Sequence, residues 1–455
     1  MFNFNEEKKE TTFVLAKNVE IPTNKRGNIN TAVIGNKESD KFNSFIIPNI
    51  ERCLGSYVIA DYNNQILNNT DHTLSTHGYK ILNVDLEKNS TYNPFMYIEN
   101  ELDAQILSHI IVKQNEYKSE DVFKEDMCEI IFRIIAQYSL KMLPKEKQNF
   151  HYCLQILKEL KDNNAKYLQF VMSKLNSSAE IMKYYDTIGK ISDDNYHLLL
   201  EILANKLNSL GALTTFSSTN LINFEEIATT RTALYVNISS EQNINAIFFT
   251  QLTQKLFNYA DNNHGYLDVP TFFILDNFER LGNISTLPMK MATSRSRKMA
   301  FYVIFDNIEE ISSTYHNDTL SILKNCDLAL YLGTKNEKTM SYISDNLDGN
   351  VSAKEFVELH DNMCITYEKG IAPIKAIKYG KTTPSQNELN EFAAEIENQK
   401  KQAKAQEKED KKHQNLDLIK DLENKLQNET DSSKREGLEK ALKAMKLVID
   451  IDNKY

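Results

Sequence analysis

The sequence predicts an α/β fold: a mostly parallel sheet, an inserted all-α domain and a charged helical tail at the C-terminus. Short, nearly uninterrupted apolar runs recur in two separate parts of the chain, as is typical of strands buried on both faces of a sheet. Between these parts, apolar residues recur at helical spacing and glycine is scarce. Residues 381–455 are dense in Lys, Glu, Gln and Asn and contain almost no aromatic residues.

Residues 1–115 are predicted to form the N-terminal part of the sheet domain. Helix-compatible sequence from Asn64 to Thr76 separates two strands, which gives the β-α-β order of a parallel sheet. Pro94 predicts a turn or loop that interrupts regular structure. The predicted strands are Thr31–Ile34, Ser56–Asp61 and Tyr79–Asp85.

Residues 116–222 are predicted to form the all-α domain, with Pro144 at a junction between helices. Residues 223–380 return to strands and complete the predicted sheet. A sparse leucine stripe in residues 381–455 predicts a long exposed helix or a helical hairpin, and the alternative is a frayed or disordered tail. The later strands are predicted at Ala233–Ile238, Thr271–Asp276, Ala300–Asp306 and Leu328–Gly333.

The composition excludes several classes of protein. The chain has 455 residues, 41% of them hydrophobic and 25% charged, as soluble globular proteins do. A net charge of −10 argues against a dedicated non-specific nucleic-acid binder, which needs clustered Lys and Arg. The five cysteines are scattered, without metal-ligand spacing, as in reduced cytosolic proteins. There is neither a signal peptide nor an apolar run of roughly 18 residues, so we expect a cytoplasmic protein that reaches a membrane through a partner.

The segment from Gly35 to Phe42 nearly matches a phosphate-binding loop. That pattern needs Gly, four residues, Gly, Lys, and Ser or Thr, between a strand and a helix. Gly35 and Lys41 are in register, but Asp40 replaces the second glycine and adds a charge that repels phosphate. Phe42 replaces the hydroxyl that would ligate Mg²⁺. The segment is either a degraded nucleotide site or a coincidence, and the alternative for Lys41 is a surface lysine at a helix start.

A second motif is the apolar strand that ends in Asp276. A Walker-B strand ends in the same way, and its carboxylate holds Mg²⁺. Asn277 stands where many P-loop ATPases have a glutamate that polarises the attacking water, and an amide is a poor general base. The alternative is that Asp276 only caps a loop.

Taken in order along the chain, these motifs resemble the TraG/TraD-type coupling-protein family of type IV secretion and conjugation, a branch of the hexameric P-loop DNA-translocation ATPases. The resemblance extends from about Phe13 to Lys378. It implies a RecA-like P-loop NTPase fold, with residues 116–222 as the family's all-α domain. The segments that carry it are Asn30–Gly35, Pro48–Ile50, Val58–Asp61, His77–Tyr79, Tyr92–Phe95, Leu275–Phe278, Ala292–Arg297 and Asn325–Asp327.

Departures from the family's pattern cluster at the nucleotide site. Three departures are those already described, at Asp40, Phe42 and Asn277. In addition, Asp306 stands where the family usually has Gln, and Tyr62–Gln65 stands in place of Pro-Lys-Gly-Glu. Because phosphoryl transfer depends on positioning and electrostatics, these losses predict negligible ATP hydrolysis. The resemblance implies that Arg295 and Arg297 reach the phosphate of a neighbouring subunit. The alternative is that these two arginines lie in a solvated turn. The positions retained are Lys41, Asp61, Asp276, Arg295 and Arg297.

The resemblance and the losses together favour a soluble pseudo-ATPase of a bacterial conjugative transfer system, which recruits or scaffolds the relaxosome, DNA or motor ATPases. No cofactor is expected. ATP with Mg²⁺ is expected as a ligand only if the altered site still binds nucleotide. The alternatives are an active or weakly active DNA-translocating ATPase and the soluble half of a split coupling protein, with a separate membrane subunit. The family also implies a homo-oligomer. Single-stranded DNA contact is a further possibility, with an exposed helix end as its alternative. The residues for that contact are Lys183, Tyr184, Tyr185, Gly189 and Lys190.

Overall fold

The chain divides into two compact units, Met1–Thr382 and Thr383–Tyr455. The first unit contains the sheet and the helices that cover it. The computed structural model describes residues 11–24, 27–88, 92–113, 122–163, 170–171, 173–175, 188, 190–213, 222–346, 359–392, 394, 401, 418–426, 434, 437–443 and 445–446.

The strands of the described residues form one large sheet and one hairpin. They are β1 Thr12–Ala16, β2 Val19–Pro22, β3 Thr31–Ile34, β4 Ser56–Asp61, β5 Lys80–Asp85, β6 Thr232–Asn237, β7 Thr271–Leu275, β8 Met299–Phe305, β9 Leu328–Tyr331, β10 Met363–Glu368 and β11 Ile374–Ile377. The nine-stranded sheet has the order β11-β10-β9-β3-β8-β7-β4-β6-β5, and β1 pairs with β2. Neighbours from β9 to β5 are parallel, whereas β10 and β11 add an antiparallel edge. The predicted α/β class with a mostly parallel sheet is confirmed.

The helices cover both faces of the sheet. They are α1 Ile47–Glu51, α2 Leu67–Thr76, α3 Glu101–Lys113, α4 Val122–Met142, α5 Phe150–Asn163, α6 Asp193–Leu213, α7 Phe224–Thr229, α8 Gln242–Asn262, α9 Leu287–Thr293, α10 Ile308–Tyr315, α11 Asp318–Lys324 and α12 Glu337–Asn346. Shorter 3₁₀ segments span Pro94–Tyr97, Lys145–Lys147, Phe278–Leu281 and Arg295–Arg297, and a π-helical turn spans Phe42–Ile46.

Two hydrophobic clusters lie on the two faces of the sheet. Successive residues of a strand point to opposite faces, so Ala32 and Ile34 of β3 join the larger cluster and Val33 joins the smaller one. Helices α3 to α8 contribute to the larger cluster. The β1-β2 hairpin, the π-helical turn, α1 and α2 contribute to the smaller cluster, which therefore supports the segment that follows the phosphate-type loop.

The turn or loop predicted around Pro94 contains a short 3₁₀ helix, Pro94–Tyr97. A 3₁₀ helix begins at this proline, and the side chain of Asn93 accepts a hydrogen bond from the amide of Phe95 at 3.1 Å. Proline suits the first position of a helix because its φ is already helical and it has no N–H to leave unpaired.

Apart from residues 383–385, the second unit is helical where the structure describes it. Helical residues occupy 386–392, 418–426 and 437–443. Glu423 and Lys446 form an ion pair at 2.7 Å. Across the described parts of both units, we find no helix whose length and apolarity would let it span a membrane.

Candidate functional site

Four neighbouring strands bring most of the predicted site residues to one edge of the sheet. Strands β3, β8, β7 and β4 lie side by side and parallel, so their carboxyl ends meet. There β3 leads into Gly35, β8 into Asp306 and β7 into Asp276, and β4 ends at Asp61. This edge is the usual ligand site of an open parallel sheet.

The loop that begins at Gly35 is closed by its own hydrogen bonds. The amides of Gly35 and Asn36 donate to carbonyl oxygens at the end of β8 and just after β9, at 3.2 and 3.1 Å. The amides of Glu38 and Ser39 donate to oxygens of Asn36, at 3.1 and 3.0 Å. A Cβ at position 35 would overlap the buried Ser39 hydroxyl, so this closed form requires glycine. These four amides serve protein oxygens, whereas a phosphate-binding loop presents its amides to the ligand.

Asp40 has the backbone conformation that glycine would adopt at this position, but unlike glycine it carries a negative charge. Its φ of 61° lies in the left-handed region, which Asp tolerates better than most residues. Its carboxylate pairs with Lys381 at 2.8 Å and accepts a hydrogen bond from Asn43 at 2.7 Å. Burial acts to raise the pKa of Asp40, but these two partners outweigh it and hold the pKa below its ordinary value. A fixed negative charge therefore stands in the loop.

Phe42 begins the π-helical turn that replaces the first helical turn after the loop. Its ring is partly buried and packs against the smaller hydrophobic cluster. A core contact thus occupies the position at which a P-loop carries its Mg²⁺-binding hydroxyl.

Lys41 points into the edge of the sheet and is not an exposed helix-end lysine. Its Nζ donates to the carbonyl oxygen of Gly35 at 2.7 Å and forms an ion pair with Asp306 Oδ1. Only 13% of the Lys41 side chain and 15% of the Asp306 side chain are exposed. Lys41, which has the position of a phosphate-binding lysine, is therefore already paired with the carboxylate of Asp306, the residue that stands where the family usually has Gln.

Asp276 and Asn277 follow β7 beside this ion pair. Burial raises the pKa of Asp276 to about 6, while the charge of Lys41 and the amide of Asn277 act in the opposite direction. Asn277 has a φ of 49°, and its Nδ2 donates to Asp276 Oδ2 at 3.0 Å. The neighbouring carboxylates of Asp61 and Asp306 also raise the pKa of Asp276, so the site is crowded with acids.

The sequence reasoning missed Glu279, which belongs to the same cluster. Burial, with a smaller contribution from the nearby carboxylates of Glu310, Asp306 and Asp276, raises the pKa of Glu279 to about 7. Its Oε2 is buried and has no hydrogen-bond partner. Glu279 lies only two residues beyond Asn277, so the sequence did show an acid just outside the motif that could have been included among the candidate site residues.

Asp61 stabilises the backbone at this edge of the sheet. It is fully buried, and its two carboxylate oxygens accept hydrogen bonds from the amides of Ile66 and Leu67, at 2.9 and 2.8 Å. Burial raises its pKa, against the effect of these amides. The carboxylate thereby holds the start of α2, as an N-terminal cap does.

The two candidate arginines lie at the opposite edge of the sheet. They occupy the 3₁₀ segment just before the amino end of β8, whereas the loop follows the carboxyl end of β3. Arg297 pairs with Asp261 at 2.6 Å and stacks on the ring of Phe257, whereas Arg295 is exposed. The structure does not bring them to the site of their own chain. Of the residues suggested for DNA contact, Lys190 is exposed and the others lie outside the described residues.

A nucleotide with Mg²⁺ fits this arrangement poorly. Lys41 is engaged, Asp40 and Asp306 add negative charge, and the metal-binding hydroxyl is missing. Within the described residues, no group of three or more His, Cys, Asp or Glu could hold a metal ion. Electrostatics therefore disfavours a polyphosphate at this edge.

The family model for type IV secretory system conjugative DNA transfer matches residues 5–359. The chain belongs to this family. The predicted resemblance to coupling proteins is confirmed, and no curated protein sequence matches the chain.

Solved structures of TrwB and VirB4 share the fold of this family member. The unbound monoclinic form of the bacterial conjugative coupling protein TrwBdeltaN70 has 11% identity and a TM-score of 0.61, with 82% of this chain and 91% of that chain covered. TrwB in complex with ADP and Mg²⁺ has 12% identity and a TM-score of 0.62, with 84% and 92% covered. VirB4 of Thermoanaerobacter pseudethanolicus has 12% identity and a TM-score of 0.52, with 84% and 99% covered. At these identities the likeness concerns the fold alone, which is that of a RecA-like P-loop protein.

Proposed function

We propose that this family member is a pseudo-ATPase that recruits or scaffolds partners of a conjugative DNA transfer machine. The family assignment supports the transfer setting. The partners we propose are the relaxosome, DNA and active motor ATPases, and we place the protein in the bacterial cytoplasm, held at the membrane by a membrane subunit. Further copies of the chain are proposed partners too.

The observation that carries the proposal is the engagement of Lys41 by Gly35 and Asp306. A phosphate-binding lysine must offer its ammonium to the phosphates of the nucleotide. Here a nucleotide would have to break a largely buried ion pair and approach several carboxylates. TrwB has been solved with ADP and Mg²⁺. For this chain the altered site leads us to propose weak nucleotide binding that does not depend on Mg²⁺.

Nucleotide affinity tests this proposal, with Asp306→Gln as the decisive variant. We expect the wild-type chain to bind a fluorescent ATP analogue with Mg²⁺ no more tightly than about 1 mM. Asp306→Gln should tighten binding about tenfold, because it frees Lys41 and removes one repelling charge. Asp318→Asn, which removes an exposed acid from α11, should have no effect.

Thermal unfolding provides a second readout of the same binding. We expect no shift in Tm when ATP and Mg²⁺ are added to the wild-type chain. A rise of several degrees that disappears when a chelator removes Mg²⁺ would contradict the proposal, because it requires binding to the folded state.

Glu279 favours a second candidate function, an active DNA-translocating ATPase with a displaced base. Its pKa of about 7 suits a general base, and it lies close to Asp276. In that case Glu279→Gln should lower ATP turnover by about 100-fold or more. The pseudo-ATPase proposal expects no turnover that this substitution could remove.

A further inference from the structure

Two small side chains next to each other on the sheet leave a cavity on the face that carries the larger hydrophobic cluster. Ala32 of β3 and Ala329 of β9 are register partners, and both belong to that cluster. Their methyl groups point to the same face and occupy positions that larger side chains would fill. The cavity has a volume of about 310 Å³, at the low end for small-molecule sites, and side chains of β3, β9, β10, α11 and α12 line it.

Three tyrosines form the aromatic part of the cavity wall. Tyr331 lies on β9, Tyr367 on β10 and Tyr342 on α12. Tyr331 is buried. Burial, with smaller contributions from the two other tyrosines and Cys326, raises the pKa of Tyr331, so its phenol stays neutral at physiological pH. The cavity therefore offers aromatic faces and neutral hydroxyl groups, and its described lining contains no carboxylate.

The mouth of the cavity carries a net positive charge. Lys324, the last residue of α11, and Lys369, just after β10, both line the cavity and are exposed. Lys369 Nζ lies 3.5 Å from Asp327 Oδ1, whereas Lys324 takes part in no ion pair within the part of the chain that the structure describes. Two ammonium groups and one carboxylate leave one positive charge beside a largely apolar space.

We propose that this cavity binds a small aromatic monocarboxylate, with its rings against the three tyrosines and its carboxylate at Lys324. Aromatic rings in contact gain energy beyond that of the area they bury. A carboxylate matches the single net charge of the mouth, whereas a phosphate monoester would bring close to two negative charges. The described lining includes no residue of the carboxyl-edge site, so this proposal can hold or fail independently of the pseudo-ATPase proposal.

Isothermal titration calorimetry with matched probes tests the class of ligand. We expect 2-naphthoate to bind the full-length chain with a Kd on the order of 0.1 mM, as for a good ligand of roughly a dozen non-hydrogen atoms. Naphthamide has the same rings without the charge and should bind about fivefold more weakly. Decanoate carries the same charge on a flexible chain and should bind about tenfold more weakly, because it lacks ring contacts and loses chain entropy.

Two variants locate the binding. Ala329→Leu fills the space beside β9 and should weaken naphthoate binding about tenfold or more by steric exclusion. Lys324→Gln keeps the cavity and removes the unpaired ammonium, so it should weaken naphthoate binding about fivefold and leave naphthamide binding unchanged. Lys338→Gln, which removes an exposed lysine of α12, is the matched control and should change neither affinity.

The surface variant keeps the test decisive even if the buried variant does not fold, because Lys324 is exposed. Unchanged naphthoate binding in Lys324→Gln, or in a folded Ala329→Leu, would overturn the proposal. Equal affinities of the wild-type chain for naphthoate and naphthamide would overturn the role of the charge, and equal affinity for decanoate would overturn the aromatic class of ligand. No binding of naphthoate up to about 5 mM would overturn the site itself.

Discussion

Five carboxyl groups and one lysine ammonium lie at the carboxyl edge of the sheet, each within electrostatic reach of at least one other. The charges of Lys41, Asp306 and Asp61 shift the pKa of Asp276. The charges of Asp276, Asp306 and Glu310 shift the pKa of Glu279. Carboxylates that share a partly buried site favour protonation of some of their number. At the scale of residues, the site therefore concentrates negative charge around the single ammonium of Lys41.

Glu279 makes stability depend on pH in a predictable direction. Its pKa is raised from 4.5 to about 7, so its stabilising effect is complete below pH 4.5 and is lost as the pH rises through 7. Glu279→Gln mimics the protonated form. We expect it to raise the free energy of unfolding by about 1–2 kcal/mol at pH 8, with a smaller gain at pH 5.

Urea unfolding at the two pH values measures this effect. Glu201→Gln, an exposed position on α6, is the matched control and should give no pH-dependent difference. A gain for Glu279→Gln that is the same at both pH values would show that the carboxyl group is not the cause.

At the scale of elements, β3 is fixed at both of its ends. Gly35 closes the loop at the carboxyl end. At the amino end, the fully buried Asn30 donates to the carbonyl oxygens of Met291 and Asn325, each at 3.0 Å. Asn30 Oδ1 accepts from Phe301 N at 2.9 Å and from the Ser294 hydroxyl at 3.2 Å. One side chain thus joins β3 to β8 and to the segment that carries the arginines.

Replacing Asn30 should therefore destabilise the sheet more than an average surface change. Asn30→Ala leaves several buried donors and acceptors unpaired, and we expect it to lower the free energy of unfolding by about 2–4 kcal/mol in urea titrations. Asn68→Ala, at an exposed position of α2, should cost less than about 0.5 kcal/mol. A cost for Asn30→Ala as small as that of the control would show that water replaces these bonds.

The sequence predicts elements well where one environment dominates. All seven strands predicted from apolar runs are found, and six of them, β3, β4 and β6 to β9, are buried along their whole length. The seventh, β5, is a partly exposed edge strand. The pattern missed β1, β2, β10 and β11, which are hairpin or antiparallel edge strands with mixed exposure, such as half-exposed β11.

Partners distant in the chain could not be read from the sequence. Lys41 meets Asp306 only because β3 and β8 are neighbours in the sheet, and sequence order does not give that arrangement. Comparison with the family's motifs identified the departures at Asp40, Phe42, Asn277 and Asp306. It did not show that Asp306 would engage the retained lysine or that Glu279 would join the cluster.

At the scale of the whole molecule, the loop and the arginine segment occupy opposite edges of one sheet. In a head-to-tail assembly, a chain could present Arg295 to the loop of the next copy, since that side chain is exposed while Arg297 is tied to Asp261. Such an assembly would bring a cation to a site that is crowded with acids. We therefore propose that the arginine edge serves binding between subunits rather than phosphoryl transfer.

ATP turnover of the purified full-length chain, with and without single-stranded DNA, tests the pseudo-ATPase account most directly. We predict turnover far below about 1 s⁻¹, the low end of ordinary enzyme rates. The informative comparison is a variant that restores the family's residues through Asp40→Gly, Phe42→Thr, Asn277→Glu and Asp306→Gln, and it should gain activity over the wild-type chain. Turnover at or above about 1 s⁻¹ in the wild-type chain, abolished by Lys41→Ala, would contradict the account.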